Sequence, residues 1–209
     1  MIRHFAAIIC LALFSSIAFG AIAIDANTSM DRTSASTTIS TPAFSTSTGN
    51  ELLLAFVASD YISGTNTTIK SIAGGGLTWV LAVRTNGQRG TSEIWRAFAT
   101  TVLNNVTVTA TLSQSVVSSI TVMSFTGVNA SGTNGSGATG ATGSGNATSG
   151  GATASLVTTA ANSWVIGVGN DFDNAISRTP AAGQSIVHQY LTPLGDTYWV
   201  QLVTRRNRL

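Results

Sequence analysis

Alternation of apolar and polar residues is the dominant pattern of the chain. From Val106 to Leu112 every second residue is apolar, and the three residues between them are threonines. Such alternation predicts a half-buried β-strand, and threonine suits the exposed face because its branched Cβ favours extended backbone. Residues 52–58 are apolar at every position, which predicts a central strand buried on both faces.

The same signals predict about ten short strands separated by turns. The further predicted strands are residues 22–26, 37–44, 77–84, 92–99, 119–125, 163–169, 185–191 and 197–202. No segment has the periodicity of an amphipathic helix. We therefore predict an all-β domain, a two-sheet antiparallel β-sandwich or jelly roll.

One internal segment is of low complexity. Residues 127–151 consist mainly of Gly, Ala, Ser, Thr and Asn, and they hold nine of the 21 glycines. This composition predicts a flexible surface loop between two strands, extending over residues 127–155. It is either a ligand-binding loop or a tolerated insertion.

The two ends of the chain differ from its body. Residues 1–23 combine a positive start, an apolar run and small residues at cleavage spacing, which predicts a secretory signal peptide. The apolar run is shorter than the roughly 20 residues of a membrane span, so we expect no membrane span after cleavage. Residues 24–204 form the predicted domain, and residues 205–209 form a basic tail. The protein is therefore predicted to be secreted, at the cell envelope.

Charge is sparse in the body of the chain. Only 9% of the 209 residues are charged, and Lys70 is the single lysine. Residues 24–204 carry six basic and eight acidic side chains, a net charge of −2. A nucleic-acid partner is not expected, because such proteins carry clustered Lys and Arg.

Signatures of catalysis are mostly absent from the sequence. The predicted mature chain has one histidine, His188, which we interpret as a structural residue within a strand. No G-x-S-x-G motif and no phosphate-cradling glycine loop occur. A glycoside hydrolase would need two carboxylates at one bond. The hydrolase hypothesis assigns these two carboxylates to Glu93 and an Asp from another loop.

A hairpin around Asn86-Gly87 holds the strongest candidate binding residues. This dipeptide is typical of a two-residue type I′ turn, which would pair Trp79 with Ile94. That register would place Arg84, Glu93 and Trp95 on an open face, where the indole could stack on a sugar and the charges could bond its hydroxyls. A one-residue shift would instead bury Trp95 beside Trp79.

Oxygen ligands cluster in the segment that follows the strand at 163–169. Asn170, Asp171 and Asp173 lie in it, and Asp196 could join them from another loop. Calcium takes six to eight such oxygens, so a calcium site is one hypothesis. The alternative is a turn held by Asx side chains. No other cofactor is expected.

Four stretches together resemble a known module. They are Gly-Gly-Leu-Thr-Trp at 75–79, Gly-Thr-Ser-Glu-Ile-Trp-Arg-Ala at 90–97, Val-Thr-Val-Thr-Ala at 106–110 and Asp-Thr-Tyr-Trp-Val-Gln at 196–201. They resemble a β-sandwich module of uncharacterised secreted or surface proteins of environmental bacteria, often found beside Ig-like or fibronectin-like domains. The resemblance covers about residues 24–201. It implies a β-sandwich and carries no activity or ligand residues.

The same resemblance implies a longer chain. The module usually continues into one more pair of strands, whereas here the sequence passes into Leu202-Val203-Thr204 and the arginine-rich tail. We expect the closing strands to be missing, which would leave an open strand edge.

Three functions are consistent with these features. The first is a secreted, non-catalytic β-sandwich module for adhesion or polysaccharide binding, with a polysaccharide or another envelope protein as its partner. The second is a structural or assembly module that acts as a spacer or shares strands. The third is the hydrolase built on Glu93.

Overall fold

The regular secondary structure between residues 20 and 203 is almost entirely β-strand. The computed structural model describes residues 20–203, so most of the predicted signal peptide and the basic tail lie outside the described residues. The strands are β1 Ala23–Ser40, β2 Glu51–Ser59, β3 Ile69–Gly74, β4 Val80–Thr85, β5 Thr91–Ala99, β6 Val108–Thr126, β7 Val165–Asp171, β8 Gln184–Leu191 and β9 Thr197–Val203. One 3-10 turn, Ser136–Ala138, is also present. Within residues 20–203, no helix is long and apolar enough to cross a membrane.

The strands form two antiparallel sheets. The larger has six strands in the order β1-β6-β2-β5-β4, with β3 also paired to β6, and the smaller has the order β7-β9-β8. The prediction of an all-β, two-sheet antiparallel fold is confirmed.

Two long strands replace four predicted short ones. β1 joins the strands predicted at 22–26 and 37–44, and β6 joins those at 106–112 and 119–125. Register shifts between Arg32 and Thr38 mark an irregularity in the pairing of β1 with β6. The first part of β6 pairs with β3 and its second part with β2. Strand pairing therefore continues through segments where the apolar alternation is interrupted.

Strand β3 was not predicted. Ile69 and Ile72 are both buried although they are three residues apart, because a register shift lies between Ile69 and Ser71. The irregularity breaks the period of two by which strands are recognised.

The central position of β2 is confirmed. Its Leu53, Ala55 and Val57 belong to a first core, shared with β3, β5 and β6. Its Leu52 and Phe56 belong to a second core with Phe125 and Val200, which joins the two sheets. Both faces of β2 are apolar because both are buried.

The low-complexity segment contains no strand, as predicted, yet it makes specific contacts. We call residues 138–159 the arm. Its two legs, residues 138–145 and 153–159, lie side by side. A Cβ on Gly140 would meet Thr159, and a Cβ on Gly145 would meet the Thr153 carbonyl. At its tip the Asn146 amide oxygen accepts a hydrogen bond of 3.3 Å from Gln88. Glycine therefore lets the two legs approach closely.

Candidate functional site

The β4–β5 hairpin differs from the predicted two-residue turn. Thr85 pairs with Ser92, so a longer loop joins the strands, and a bulge lies between Leu81 and Val83. Trp95 is 9% exposed and shares the first core with Trp79. The predicted open face at Trp95 is therefore wrong: Trp95 is buried in the same core as Trp79. The longer loop and the bulge bury it, rather than the one-residue shift of a two-residue turn.

Arg84, Glu93 and Trp95 do meet, but inside the protein. Glu93 is fully buried. It accepts hydrogen bonds from Arg84 Nε at 2.7 Å and Arg84 Nη2 at 3.1 Å, and from Trp95 Nε1 at 2.9 Å. The Ile69 amide also donates to Glu93 at 2.8 Å. This network ties β3, β4 and β5 together and leaves Glu93 no access to a sugar or a scissile bond.

The calcium hypothesis for Asn170, Asp171, Asp173 and Asp196 is not supported by the described residues. Among residues 20–203, no group of three or more His, Cys, Asp or Glu side chains is arranged to hold a metal ion. Asp171 pairs with Arg178 at 2.8 Å and accepts a hydrogen bond from Asn174. Asp196 is buried and accepts hydrogen bonds from Tyr198 and from the Asp173 amide, each 2.8 Å long. The Asp171 and Asp196 carboxylates therefore hold the loop, whereas the Asp173 side chain is exposed.

The same loops nevertheless meet the ends of other strands. Asn170, on β7, donates a hydrogen bond of 2.8 Å to the carbonyl oxygen of Ser59, the last residue of β2. Gly90 lies against both, has a φ of +78°, and a Cβ there would collide with them. Glycine is required at this position because the backbone is left-handed and the approach is close. The β4–β5 loop is thereby held beside the ends of β2 and β7.

This arrangement brings two aromatic rings and an arginine together. Tyr61 and Phe172 are half-buried, and their ring centroids lie 6.5 Å apart, edge to face. The exposed Arg89 places its guanidinium 5.9 Å from the Tyr61 ring centre and 5.5 Å from that of Phe172. We call Asp60, Tyr61, Arg89, Phe172 and Asp173 the loop-end cluster.

Carboxylates within and beside the cluster interact with one another electrostatically. Burial raises the pKa of Asp60, and the negative charges of Asp196 and Asp173 raise it further. Burial likewise raises the pKa of Asp196, with a smaller contribution from Asp173 and Asp171. The pKa of Tyr198 is raised by its burial and by Asp196. This end of the sandwich therefore holds a negative field next to the Arg89 guanidinium.

His188 lies away from this cluster. Its Nε2 is 2.9 Å from Asp31 on β1, so the pair connects the smaller sheet to the larger. The interpretation of His188 as a hydrogen-bonded structural residue agrees with this contact.

Sequence reasoning missed Tyr61, Arg89 and Phe172. They come from three loops that are distant in sequence, and no spacing rule links them. The available signal was an aromatic residue just past the ends of two predicted strands, at Tyr61 and Phe172.

Comparison with known proteins adds no identification: no family model, no curated protein and no solved structure matches the chain. The resemblance to a secreted β-sandwich module stays a prediction.

Proposed function

We propose that the chain is a secreted, non-catalytic β-sandwich module that binds polysaccharide at the cell envelope, in adhesion, through the loop-end cluster. The observation that carries this proposal is the Arg89 guanidinium lying over the half-buried rings of Tyr61 and Phe172. The part of the proposal that places the protein outside the cell rests on the predicted signal peptide.

The chemistry of the cluster suits a sugar. The exposed parts of the two rings offer apolar surface to the C–H faces of a pyranose. Arg89 offers several N–H donors in a planar fork, and the exposed Asp173 carboxylate accepts hydrogen bonds from hydroxyls. A few placed polar groups beside apolar surface are the usual composition of a ligand site.

Binding of the purified protein to a panel of soluble and insoluble polysaccharides tests the proposal. Tyr61→Ala and Phe172→Ala are each expected to weaken the best binding about tenfold or more, as for anchor residues of an interface. Ile62→Ala is the matched control, because Ile62 is adjacent and 61% exposed. Chelator is expected to leave binding unchanged, since the Asp171 and Asp196 carboxylates bond to protein groups.

Two outcomes would contradict the proposal. One is a folded parent protein that binds no polysaccharide of the panel. The other is binding that all three substitutions affect equally, which would place the sugar elsewhere. Melting curves of each variant separate lost binding from lost folding.

A structural or assembly role is the second candidate. Strand β1 ends the larger sheet, and within residues 20–203 β6 is its only strand partner. A free strand edge of 18 residues can accept a strand from another chain. Concentration-dependent self-association in sedimentation, reduced by Thr28→Lys on β1, would favour this candidate over sugar binding.

A further inference from the structure

A cavity of about 180 Å³, open to solvent on one side, lies between the two sheets and beneath the arm. Its inner wall comes from the larger sheet, with Leu54, Ile94 and Phe125. Trp164 and Ile166 of the second wall belong to the segment that enters and forms β7.

The lining of the cavity is mostly apolar and includes the hydroxyl groups of four threonines and of Ser163. Among residues 20–203, no charged side chain lines the cavity. Phe125 and Trp164 meet edge to face, with ring centroids 6.3 Å apart. Because most of the lining surface is apolar, an apolar solute gains by displacing water from it.

The roof of the cavity is formed by small residues. The arm contributes Gly140, Ala141 and the threonines at 142, 158 and 159, with Leu156 as its one large apolar side chain. Close-packed core regions are filled by large apolar side chains. Here the sequence places small residues over a space that larger ones could fill.

We propose that this cavity is a binding site for an uncharged apolar ligand about the size of one aromatic ring. The size follows from the volume: a cavity of about 150 Å³ lined by Leu, Ile and Phe in another protein binds benzene. The site shares no residue with the loop-end cluster, and its test does not depend on polysaccharide binding.

Titration of the full protein with toluene, followed by calorimetry and by Trp emission, tests the site. Toluene is expected to bind saturably. Benzoate, the same ring with a charge, is expected to bind at least about tenfold more weakly, because the lining has no cation to pair with it. Trp164→Phe is expected to keep the calorimetric signal and lose most of the emission change, since Trp164 lines the cavity.

Variants that fill the cavity locate the ligand. Ala141→Leu on the arm is expected to weaken toluene binding about tenfold or more, and Ala130→Leu, outside the lining, is its control. Ala82→Leu on β4 fills the space from the opposite side and serves if the arm is disturbed. The proposal is overturned if the folded protein does not bind toluene, if benzoate binds equally, or if both filling variants bind like the parent.

Discussion

At the residue scale, Glu93 is a structural carboxylate. A carboxylate beside an arginine and a tryptophan has the composition of a sugar site, and only burial distinguishes the two roles. Glu93 is fully buried and receives hydrogen bonds from three strands, whereas the side chain of Arg84 is 29% exposed. An ion in such a place is stable only while its partners remain.

Replacing Glu93 therefore tests that role directly. Glu93→Gln is expected to lower the free energy of unfolding by about 3 kcal/mol, at the low end for broken buried pairs because Arg84 can reach water. Asp171→Asn is the matched control at a half-exposed pair with Arg178, where a loss of about 0–1 kcal/mol is expected. Urea denaturation measures both values. Equal losses in the two variants would contradict the buried role of Glu93.

A second carboxylate, Glu51, is predicted to make stability depend on pH. Burial raises its pKa above the ordinary value of 4.5, and nearby Asp25 raises it further. The native chain therefore binds more protons than the unfolded chain between pH 4.5 and the raised value, so the free energy of unfolding falls as pH rises through this interval. Glu51→Gln is expected to gain stability relative to the parent as pH rises.

Asp25, which interacts with Glu51, is predicted to make stability depend on pH in the opposite direction. Two hydrogen bonds from Ser47 lower its pKa below 3.8, so the stability it contributes is present above that pH and is lost as pH falls. Asp25→Asn is expected to lose stability relative to the parent at neutral pH. Denaturant unfolding from about pH 2 to 8 measures both differences: the Asp25 difference changes below pH 3.8 and the Glu51 difference above pH 4.5. Slopes of the same sign in the two intervals would refute the assignment.

At the scale of elements, the sequence predicts strands better than it predicts their pairing. β2 was predictable because both of its faces are apolar, and β5 because its period of two is regular. The β4–β5 register was not, since the bulge at Ala82 and the longer loop depend on contacts with β3 and β7 rather than on Asn86-Gly87. Because the predicted register was wrong, Trp95 was predicted to be exposed, whereas it is buried.

The arm allows a test of an element with no regular structure. A Cβ on Gly145 would collide with the Thr153 carbonyl, whereas nothing lies within 4 Å of one on Gly151. Gly145→Ala is therefore expected to separate the two legs. If the free energy of opening the arm falls by roughly 1 kcal/mol, a broad-specificity protease should cut the arm about fivefold faster. Gly151→Ala should be cut at the parent rate. Equal rates in all three proteins would show that the legs are not held together.

At the scale of the whole molecule, the loop-end cluster depends on tertiary structure. Tyr61, Arg89 and Phe172 follow or join four different strands, and they meet because Asn170 and Gly90 fix three loops against Ser59. The sequence indicated the acidic loop and the all-β fold. It could not indicate which loops share one end of the sandwich, because that follows from the strand order.

The two sheets are expected to unfold as one unit because β2 serves both cores. Phe56 is 1% exposed and lies in the core between the sheets, while its neighbours Ala55 and Val57 lie in the other core. Phe56→Ala is expected to cost about 3–5 kcal/mol and to lower the melting temperature in a single transition. Ile62→Ala, at an exposed position, should stay within about 0.5 kcal/mol of the parent.

Two probes decide whether that transition is single. Trp emission reports on both cores, through Trp79 and Trp95 in one and Trp164 in the other, and far-UV circular dichroism reports on all the strands. Coincident midpoints in the Phe56→Ala variant are expected, since loss of contact between the sheets exposes one face of β2 and removes support for the other. A biphasic curve would instead mean that β7, β8 and β9 fold and unfold as a separate unit.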